Sequence, residues 1–221
     1  DSYMLLTEHM KEPLCVGERP YIVVEGIIDP DVFERNEEQK RKLEKDPSLK
    51  YIVYTGKLNE KFGVKKLIDA FMTMPEPSYR LVLCGKGDLD EYVREKCRED
   101  NRIVATGQVT PAEAHKWVLK ADVLVNPREN NEEYTKYSFP SKNIEYLASG
   151  NPVVAYMLDG MPACYRDFIC VADGKELSKC IRSAMEKNTL SEKSSGLILD
   201  ALRKKTGYVI ARKIIDMMCG T

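Results

Sequence analysis

The sequence contains only two histidines in 221 residues, His9 and His115. His115 has no carboxylate at a spacing that would make a catalytic pair, and we expect both histidines to be structural or to lie at the surface. No Ser-His-Asp arrangement and no cluster of metal-ligating residues is visible. We therefore expect neither a hydrolase triad nor a metal centre.

Paired cysteines, net charge and long apolar runs are also missing. The seven cysteines are an odd number without a Cys-x-x-Cys pair, which argues against disulfides or zinc and is typical of a reducing compartment. The 34 Lys and Arg nearly balance the 35 Asp and Glu, so nucleic acid is not an expected partner. No apolar run approaches the roughly 20 residues of a membrane-spanning helix. We expect a cytoplasmic protein.

From residue 49 onward, short apolar runs alternate with amphipathic stretches. Runs typical of buried strands occupy 51–54, 80–84, 102–105, 121–126, 153–156 and 168–171. Apolar residues recur with helical spacing in 64–74, 89–97, 110–120, 142–149 and 175–187. The Thr110-Pro111 pair followed by Glu113 is typical of a helix start. The alternation predicts an α/β fold with a doubly wound, parallel, Rossmann-like sheet.

The two ends of the chain differ from this pattern. Near the N-terminus we predict a helix at 3–10 and a strand at 20–24. The next segment is strongly charged and predicts a solvated linker or an exposed helix. The C-terminal segment predicts amphipathic helices. The expected parts are an N-terminal piece, a charged linker or helix, the sheet domain and C-terminal helices, at 1–28, 29–50, 51–189 and 190–221.

Glycine-containing corners follow three of the predicted strands, at Gly56-Lys57, Gly85-Lys86-Gly87 and Thr106-Gly107-Gln108. A glycine there lets backbone N–H groups approach a phosphate or a base. None of the corners matches a known phosphate-binding loop, and each alone could be a simple turn. Because carboxyl ends of parallel strands meet at one edge of a sheet, the three corners together predict a ligand cleft.

The segment 137–155 predicts a loop, a short helix and a buried strand. It brings Ser138, Ser141, Lys142 and Glu145 to the same kind of corner. A lysine at a helix N-terminus opposes the helix dipole, so its presence favours a nearby anion. Glu145 shares a helix face with Lys142, where it could pair with the lysine or accept hydrogen bonds from ribose hydroxyls. Such a set suits a nucleotide sugar.

Over roughly residues 20–190, the order and spacing of the sequence blocks resemble the C-terminal domain of GT-B glycosyltransferases of family 4. The blocks are T-G-K-L-N-E-K-F-G-V-K-K-L-I-D-A-F, L-V-L-C-G-K-G, R-I-V-A-T-G-Q-V, A-D-V-L-V-N-P-R and F-P-S-K-N-I-E-Y-L-A-S-G-N-P-V-V-A. The resemblance implies the donor-binding half of a retaining hexosyltransferase of polysaccharide or cell-surface glycan synthesis, working without a metal or another cofactor. Residues 1–28 would then be a remnant of the acceptor-binding domain and the interdomain crossover.

The resemblance also implies roles for particular residues. The donor diphosphate would face Gly56, Lys57, Lys61, Ser141 and Lys142. Glu145 would bind the ribose. The base would lie along Gly107, Gln108 and Val109, and the donor sugar would lie near Tyr137, Ser138, Phe139 and Pro140.

Two features depart from the usual family pattern. Tyr137 stands where the first Glu of a Glu-x7-Glu pair often lies. Lys57 replaces an Arg, and Phe62 stands where a second Lys usually falls, next to Lys61.

Two other hypotheses stay open, a nucleotide-sugar epimerase and a non-enzymatic scaffold on a degenerate domain. As a transferase, the chain would need its missing N-terminal domain for activity. That domain would bind a glycan or lipid-linked acceptor, and the full-length enzyme could then associate with the cytoplasmic face of a membrane.

Overall fold

The computed structural model describes residues 2–29, 31–186, 202–204 and 206–219. The strands are β1 (Tyr3–Leu5), β2 (Tyr21–Val23), β3 (Lys50–Thr55), β4 (Tyr79–Cys84), β5 (Ile103–Gly107), β6 (Val123–Asn126), β7 (Val153–Ala155) and β8 (Cys170–Val171). The helices are α1 (Val32–Lys42), α2 (Val64–Met72), α3 (Asp90–Glu99), α4 (Pro111–Lys120), α5 (Ser141–Ala148), α6 (Leu177–Glu186) and α7 (Gly207–Cys219).

Strands β3 to β8 form one parallel sheet in the order β5-β4-β3-β6-β7-β8. This is the strand order of a Rossmann fold, and the predicted doubly wound α/β sheet is confirmed. The order reverses between β3 and β6. At such a switch point the loops beyond the two strands diverge and leave a crevice at the carboxyl ends of the strands.

Both faces of the sheet are covered by helices. Successive residues of a strand point to opposite faces, so Ile52 packs in one core with Leu67 of α2, and Val53 packs in the other with Val118 of α4 and Leu147 of α5. All five side chains are fully buried. Strands that are buried on both faces appear in the sequence as continuous apolar runs, which is why their positions were predictable.

The start of α4 shows the predicted cap. The hydroxyl of Thr110 accepts a hydrogen bond from the N–H of Glu113 at 3.3 Å, and the Glu113 carboxylate accepts one from the N–H of Thr110 at 2.9 Å. Pro111 occupies the first helical position. This reciprocal cap satisfies two N–H groups of the first turn and fixes where α4 begins, directly beyond β5.

The prediction of a helix over residues 3–10 is wrong. Residues Tyr3–Leu5 form β1, which pairs in parallel with β2, and only a single 3-10 turn follows at Glu8–Met10. The pairing with β2 supplies partners for the backbone groups of β1, and it buries Leu5. Tertiary pairing thus overrides the local pattern, as is common for short strands.

The charged segment after residue 29 contains helix α1, which docks on the sheet domain through Asn36. This buried side chain donates a hydrogen bond to the carbonyl of Ala148 at 2.8 Å, and its oxygen accepts one from Nε2 of His115 at 2.9 Å. His115 therefore joins α4 to α1. Helix α7 occupies part of the predicted C-terminal helices, whereas residues 187–201, 205 and 220–221 lie outside the described residues.

Candidate functional site

The three glycine corners lie side by side at the carboxyl edge of the sheet. The N–H of Gly56 donates to the carbonyl of Cys84 at 2.8 Å, and the N–H of Gly85 donates to the carbonyl of Gly107 at 2.9 Å. The first two corners touch so closely that a Cβ on Gly85 would overlap the carbonyl oxygen of Gly56. The glycines noted in the sequence therefore belong to one continuous backbone surface.

A cavity of about 480 Å³ opens between these corners and the N-terminal turns of α4 and α5. Its volume falls within the roughly 300–1,000 Å³ typical of small-ligand sites. Its walls include several of the predicted site residues: Gly56, Lys57, Gln108, Val109, Lys142 and Glu145. The remaining lining residues are Thr55, Cys84, Gly85, Lys86, Pro111 and Ala114.

The walls of this cavity carry excess positive charge. Lys57, Lys86 and Lys142 contribute three ammonium groups, and Glu145 contributes the one carboxylate among the lining residues. Concave surfaces lined by one sign of charge concentrate the electrostatic field. The cavity therefore favours an anionic ligand.

Lys142 lies across the corner that follows β3. Its Nζ donates to the hydroxyl of Thr55 at 3.3 Å and lies 3.9 Å from a carboxylate oxygen of Glu145. Its Cε would be only 2.7 Å from a Cβ placed on Gly56. The lysine can hold this position only because residue 56 has no side chain, so Gly56 and Lys142 form one unit of the site.

Cys84 forms part of the cavity wall beneath Lys142. Burial is the main cause that raises the pKa of its thiol, although a hydrogen bond from Thr106 and the charge of Lys142 act in the opposite direction. The thiol is therefore neutral at physiological pH. It does not offset the positive charge of the three lysines.

Two buried tyrosines hold the corner after β3 in place. Tyr146 of α5 accepts a hydrogen bond from the N–H of Thr55 at 2.9 Å, and Tyr54 donates one to the carbonyl of Lys57 at 2.9 Å. Burial raises the pKa of both hydroxyls, so each stays protonated and neutral. The sequence did not reveal this role, because a tyrosine in an apolar run is indistinguishable from an ordinary core residue.

Three of the residues predicted to contact the nucleotide do not line the cavity. Lys61 is exposed on the 3-10 turn Glu60–Phe62, where its Nζ lies 5.3 Å from the centroid of the Phe62 ring. Ser141 is the exposed first residue of α5. Gly107 takes part through its backbone, since its carbonyl accepts the hydrogen bond from Gly85.

The four residues predicted to lie near the donor sugar are placed in two different environments. Tyr137 is exposed at the end of the 3-10 turn Glu133–Tyr137, and the hydroxyl of Ser138 accepts a hydrogen bond from Arg128 at 3.1 Å. Phe139 and Pro140 are buried. The Phe139 ring packs against Tyr165 with centroids 5.1 Å apart, so it faces the core rather than the cavity.

Sequence reasoning missed two cations near the site. Lys86 lies in the Gly85–Gly87 corner and lines the cavity. The sequence interpretation of this corner used only its glycines. Arg128 follows β6, on the other side of the switch point from Gly56. A basic residue two positions beyond the end of a buried strand was the available signal in both cases.

The described residues form neither a metal-ligand cluster nor a membrane-spanning helix. Within the described ranges, no three His, Cys, Asp or Glu side chains are grouped so that they could hold a metal ion. His9 contacts the carbonyl of Asp159 at 3.0 Å and is exposed. None of the helices in the described part of the chain is long and apolar enough to cross a membrane.

The fold and the cavity together define a Rossmann-like α/β domain with an anion-favouring site beside its switch point. The family model described as glycosyl transferases group 1 matches residues 49–187. The chain therefore belongs to the glycosyl transferases of group 1. No curated protein matches the chain.

Several solved structures of other proteins share the fold of this chain over more than half of their own length. Sucrose-phosphate synthase from Thermosynechococcus elongatus has a TM-score of 0.68 and 18% identity, covering 100% of this chain and 58% of its own. Anabaena HepE in complex with UDP and glucose gives 0.67 and 15%, covering 99% and 62%. WaaG, a glycosyltransferase of lipopolysaccharide biosynthesis, gives 0.66 and 16%, covering 99% and 62%. The chain thus spans less than two thirds of the length of these proteins.

Proposed function

We propose that this chain is the donor-binding half of a retaining glycosyltransferase that uses a nucleotide sugar in polysaccharide or cell-surface glycan synthesis. The observation that carries the proposal is the cavity at the carboxyl edge of the sheet, which joins three lysines and one carboxylate to the Gly56 corner. Membership in the group 1 family supports it. A relative of the same fold, Anabaena HepE, has been solved in complex with UDP-glucose.

The diphosphate of the donor would lie against the Gly56 corner. There Lys57 and Lys142 present ammonium groups, and Lys86 adds a third from the neighbouring corner. The N-terminal turn of α5, which begins at Ser141, adds the positive end of a helix dipole. These groups supply the positive charge that a diphosphate requires, so we propose that donor binding needs no divalent cation.

The nucleoside would extend from the diphosphate toward α4. Glu145 lies one turn beyond Lys142 and is 43% exposed, so its carboxylate is accessible to ribose hydroxyls. Gln108 and Val109 continue from the Gly107 corner and line the wall toward α4. Backbone groups there would contact the base, and Pro111 and Ala114 would form an apolar surface beside it.

In this proposal the same cations also act in the transfer step. The bond between the anomeric carbon of the sugar and the distal phosphate oxygen would break, and the departing diphosphate would keep the electron pair. The acceptor hydroxyl oxygen would form the new bond to the anomeric carbon, and its proton would pass to the departing diphosphate. Preorganised cations stabilise negative charge that develops in a transition state. The acceptor hydroxyl would be positioned by a second domain, so this chain by itself would bind the donor and transfer little or no sugar.

Calorimetric titration with UDP, GDP and ADP tests the proposal. At least one of the three should bind with an affinity in the micromolar to low millimolar range, because the cavity matches a nucleoside diphosphate in charge and volume. Binding should be the same with EDTA as with magnesium. If none of the three binds at millimolar concentration, the donor-binding proposal fails and a scaffold role is favoured.

A Glu145→Gln variant tests the assignment of the ribose. We expect the affinity for the bound ribonucleoside diphosphate to fall about tenfold, because a hydrogen bond to a charged acceptor is worth about 1.5 kcal/mol or more. The affinity for the 2′,3′-dideoxy analogue should change less than twofold. Glu91→Gln, on the exposed face of α3, serves as the control. An equal loss for both ligands would contradict the assignment.

A further inference from the structure

Arg128 is a half-buried cation whose partners are incomplete. Its Nη2 donates to the hydroxyl of Ser138 at 3.1 Å, and its guanidinium carbon lies 5.1 Å from the ring centroid of Tyr134 and 5.9 Å from that of Phe62. Its Nε is buried and has no hydrogen-bond partner among the residues that the structure describes. Arginine is always charged in proteins and carries five N–H donors, of which the hydrogen bond to Ser138 engages one.

An incompletely paired guanidinium in this position is costly to the folded protein. A buried donor without an acceptor loses its hydration and gains nothing in return. Contact with two aromatic rings compensates only in part. The ion pairs in the described part of the chain join other residues, including the neighbouring Glu129, which pairs with Lys66. The charge of the guanidinium therefore favours an anionic ligand, which would meet the Nη groups because Nε itself is closed to solvent.

The position of Arg128 relates it to the proposed donor site. It follows β6, which lies next to β3 at the switch point. The loop after β3 packs against Pro127, the residue that precedes Arg128, since a Cβ on Gly63 would overlap the carbonyl of Pro127. The Tyr54 hydroxyl donates a hydrogen bond to the carbonyl of Lys57, and the charge of Arg128 partly offsets the rise that burial causes in the pKa of Tyr54. Arg128 does not line the cavity itself, but it lies on the β6 side of the switch point, close enough for its charge to act on the tyrosine that holds the Gly56-Lys57 corner.

We propose that Arg128 binds the distal phosphate of the nucleoside diphosphate. The neighbouring Phe62 contributes an aromatic ring and no positive charge, so Arg128 supplies a cation at this place. This inference rests on the proposed donor-binding function. A guanidinium matches phosphate oxygens with two parallel N–H donors. Ser138 fixes the orientation of the guanidinium by accepting from Nη2, which leaves the N–H groups of Nη1 and the second N–H of Nη2 for the ligand.

The test compares nucleoside monophosphates with diphosphates on the whole chain. UMP and UDP, GMP and GDP, and AMP and ADP are titrated into the wild type, Arg128→Met, Arg128→Lys and the control Arg98→Met. Arg98 is an exposed arginine in the last turn of α3, at the opposite edge of the sheet. Thermal unfolding of each ligand-free variant reports whether it is folded.

We expect Arg128→Met to lower the preference for diphosphate over monophosphate by about tenfold or more, because charge-assisted hydrogen bonds to the distal phosphate are lost. The affinity for the monophosphate should change less than twofold. Arg128→Lys should show a smaller loss, since it keeps the charge without the fork, and Arg98→Met should match the wild type. The unfolding midpoint of Arg128→Met should not fall, because methionine leaves no unpaired N–H.

Three results would overturn the inference. An unchanged preference in folded Arg128→Met shows that the distal phosphate lies elsewhere. An equal loss of affinity for monophosphate and diphosphate, with a lower unfolding midpoint, shows a structural role. If Arg128→Met does not fold, Arg128→Lys replaces it in this test. A wild-type preference for diphosphate over monophosphate in Arg128→Lys would then show that the distal phosphate lies elsewhere. Failure of the wild type to bind any of the six nucleotides removes the proposed function as well, so the two failures are distinguishable.

Discussion

Replacing Lys142 with methionine should weaken the binding of the nucleoside diphosphate by about 10- to 100-fold without destabilising the fold. The loss follows from the removal of a charge-assisted hydrogen bond to phosphate, at about 1.5 to 3 kcal/mol. Fold stability should hold because the Lys142–Glu145 pair is long, at 3.9 Å, and both side chains are at least one third exposed. Such pairs contribute less than about 1 kcal/mol. Calorimetry and urea unfolding measure the two quantities.

The chain contains a closely matched control for this substitution. Lys96 and Glu99 of α3 form the same lysine-first pair at a spacing of three residues, 2.7 Å apart. Lys96→Met therefore removes the same charge and the same kind of helical pair, away from the cavity. Nucleotide affinity should stay at the wild-type value in this variant. If Lys96→Met and Lys142→Met weakened binding equally, the effect would be one of net charge and Lys142 would lose its assigned role.

Gly85→Ala should reduce both stability and nucleotide binding. The residue has φ of +144°, which side chains rarely adopt, and its Cβ would overlap the carbonyl oxygen of Gly56. Backbone atoms cannot move aside as a flexible side chain can, so the Gly56 corner must shift. We expect the free energy of unfolding to fall by about 3 kcal/mol. Affinity for the diphosphate should fall at least tenfold because the displaced corner also contacts Lys142.

Gly174→Ala is the control that measures the cost of a positive φ without the steric overlap present at Gly85. Gly174 has φ of +64°, and nothing lies within 4 Å of a Cβ built on it. The substitution should cost about 1 kcal/mol, the price of a left-handed conformation for an ordinary residue, and should leave nucleotide binding unchanged. Urea unfolding of the two variants gives the comparison. Equal losses of stability would show that the contact between the Gly85 and Gly56 corners is not tight.

The central sheet and the β3 corner were predictable because the cause of each lies within a short segment. Buried parallel strands need continuous apolar runs, and a corner that touches another backbone needs glycine. The position of Lys142 in the cavity wall was predictable for a related reason, since a cation at a helix N-terminus conflicts with the helix dipole. Each of these signals can be read within about ten residues.

Other features depended on contacts between distant segments. Tyr3–Leu5 became a strand because β2 lies beside it, although its own sequence predicted a helix. Phe139 turned toward Tyr165 and the core, which nothing in the segment around it indicates. Arg128 acquired its surroundings from Ser138, Tyr134 and the loop that holds Phe62.

The amino-acid sequence by itself determined the class of fold, the positions of the central strands and helices, and the presence of glycine corners at one edge of the sheet. Only the tertiary structure decided which side chains share the cavity. Gly56, Gln108 and Lys142 are far apart along the chain and meet only when the strands pair and α5 packs on the sheet. The physical reason is that hydrophobic pattern and backbone conformation are local properties, whereas the direction of a side chain at a strand end is set by the neighbours it packs against.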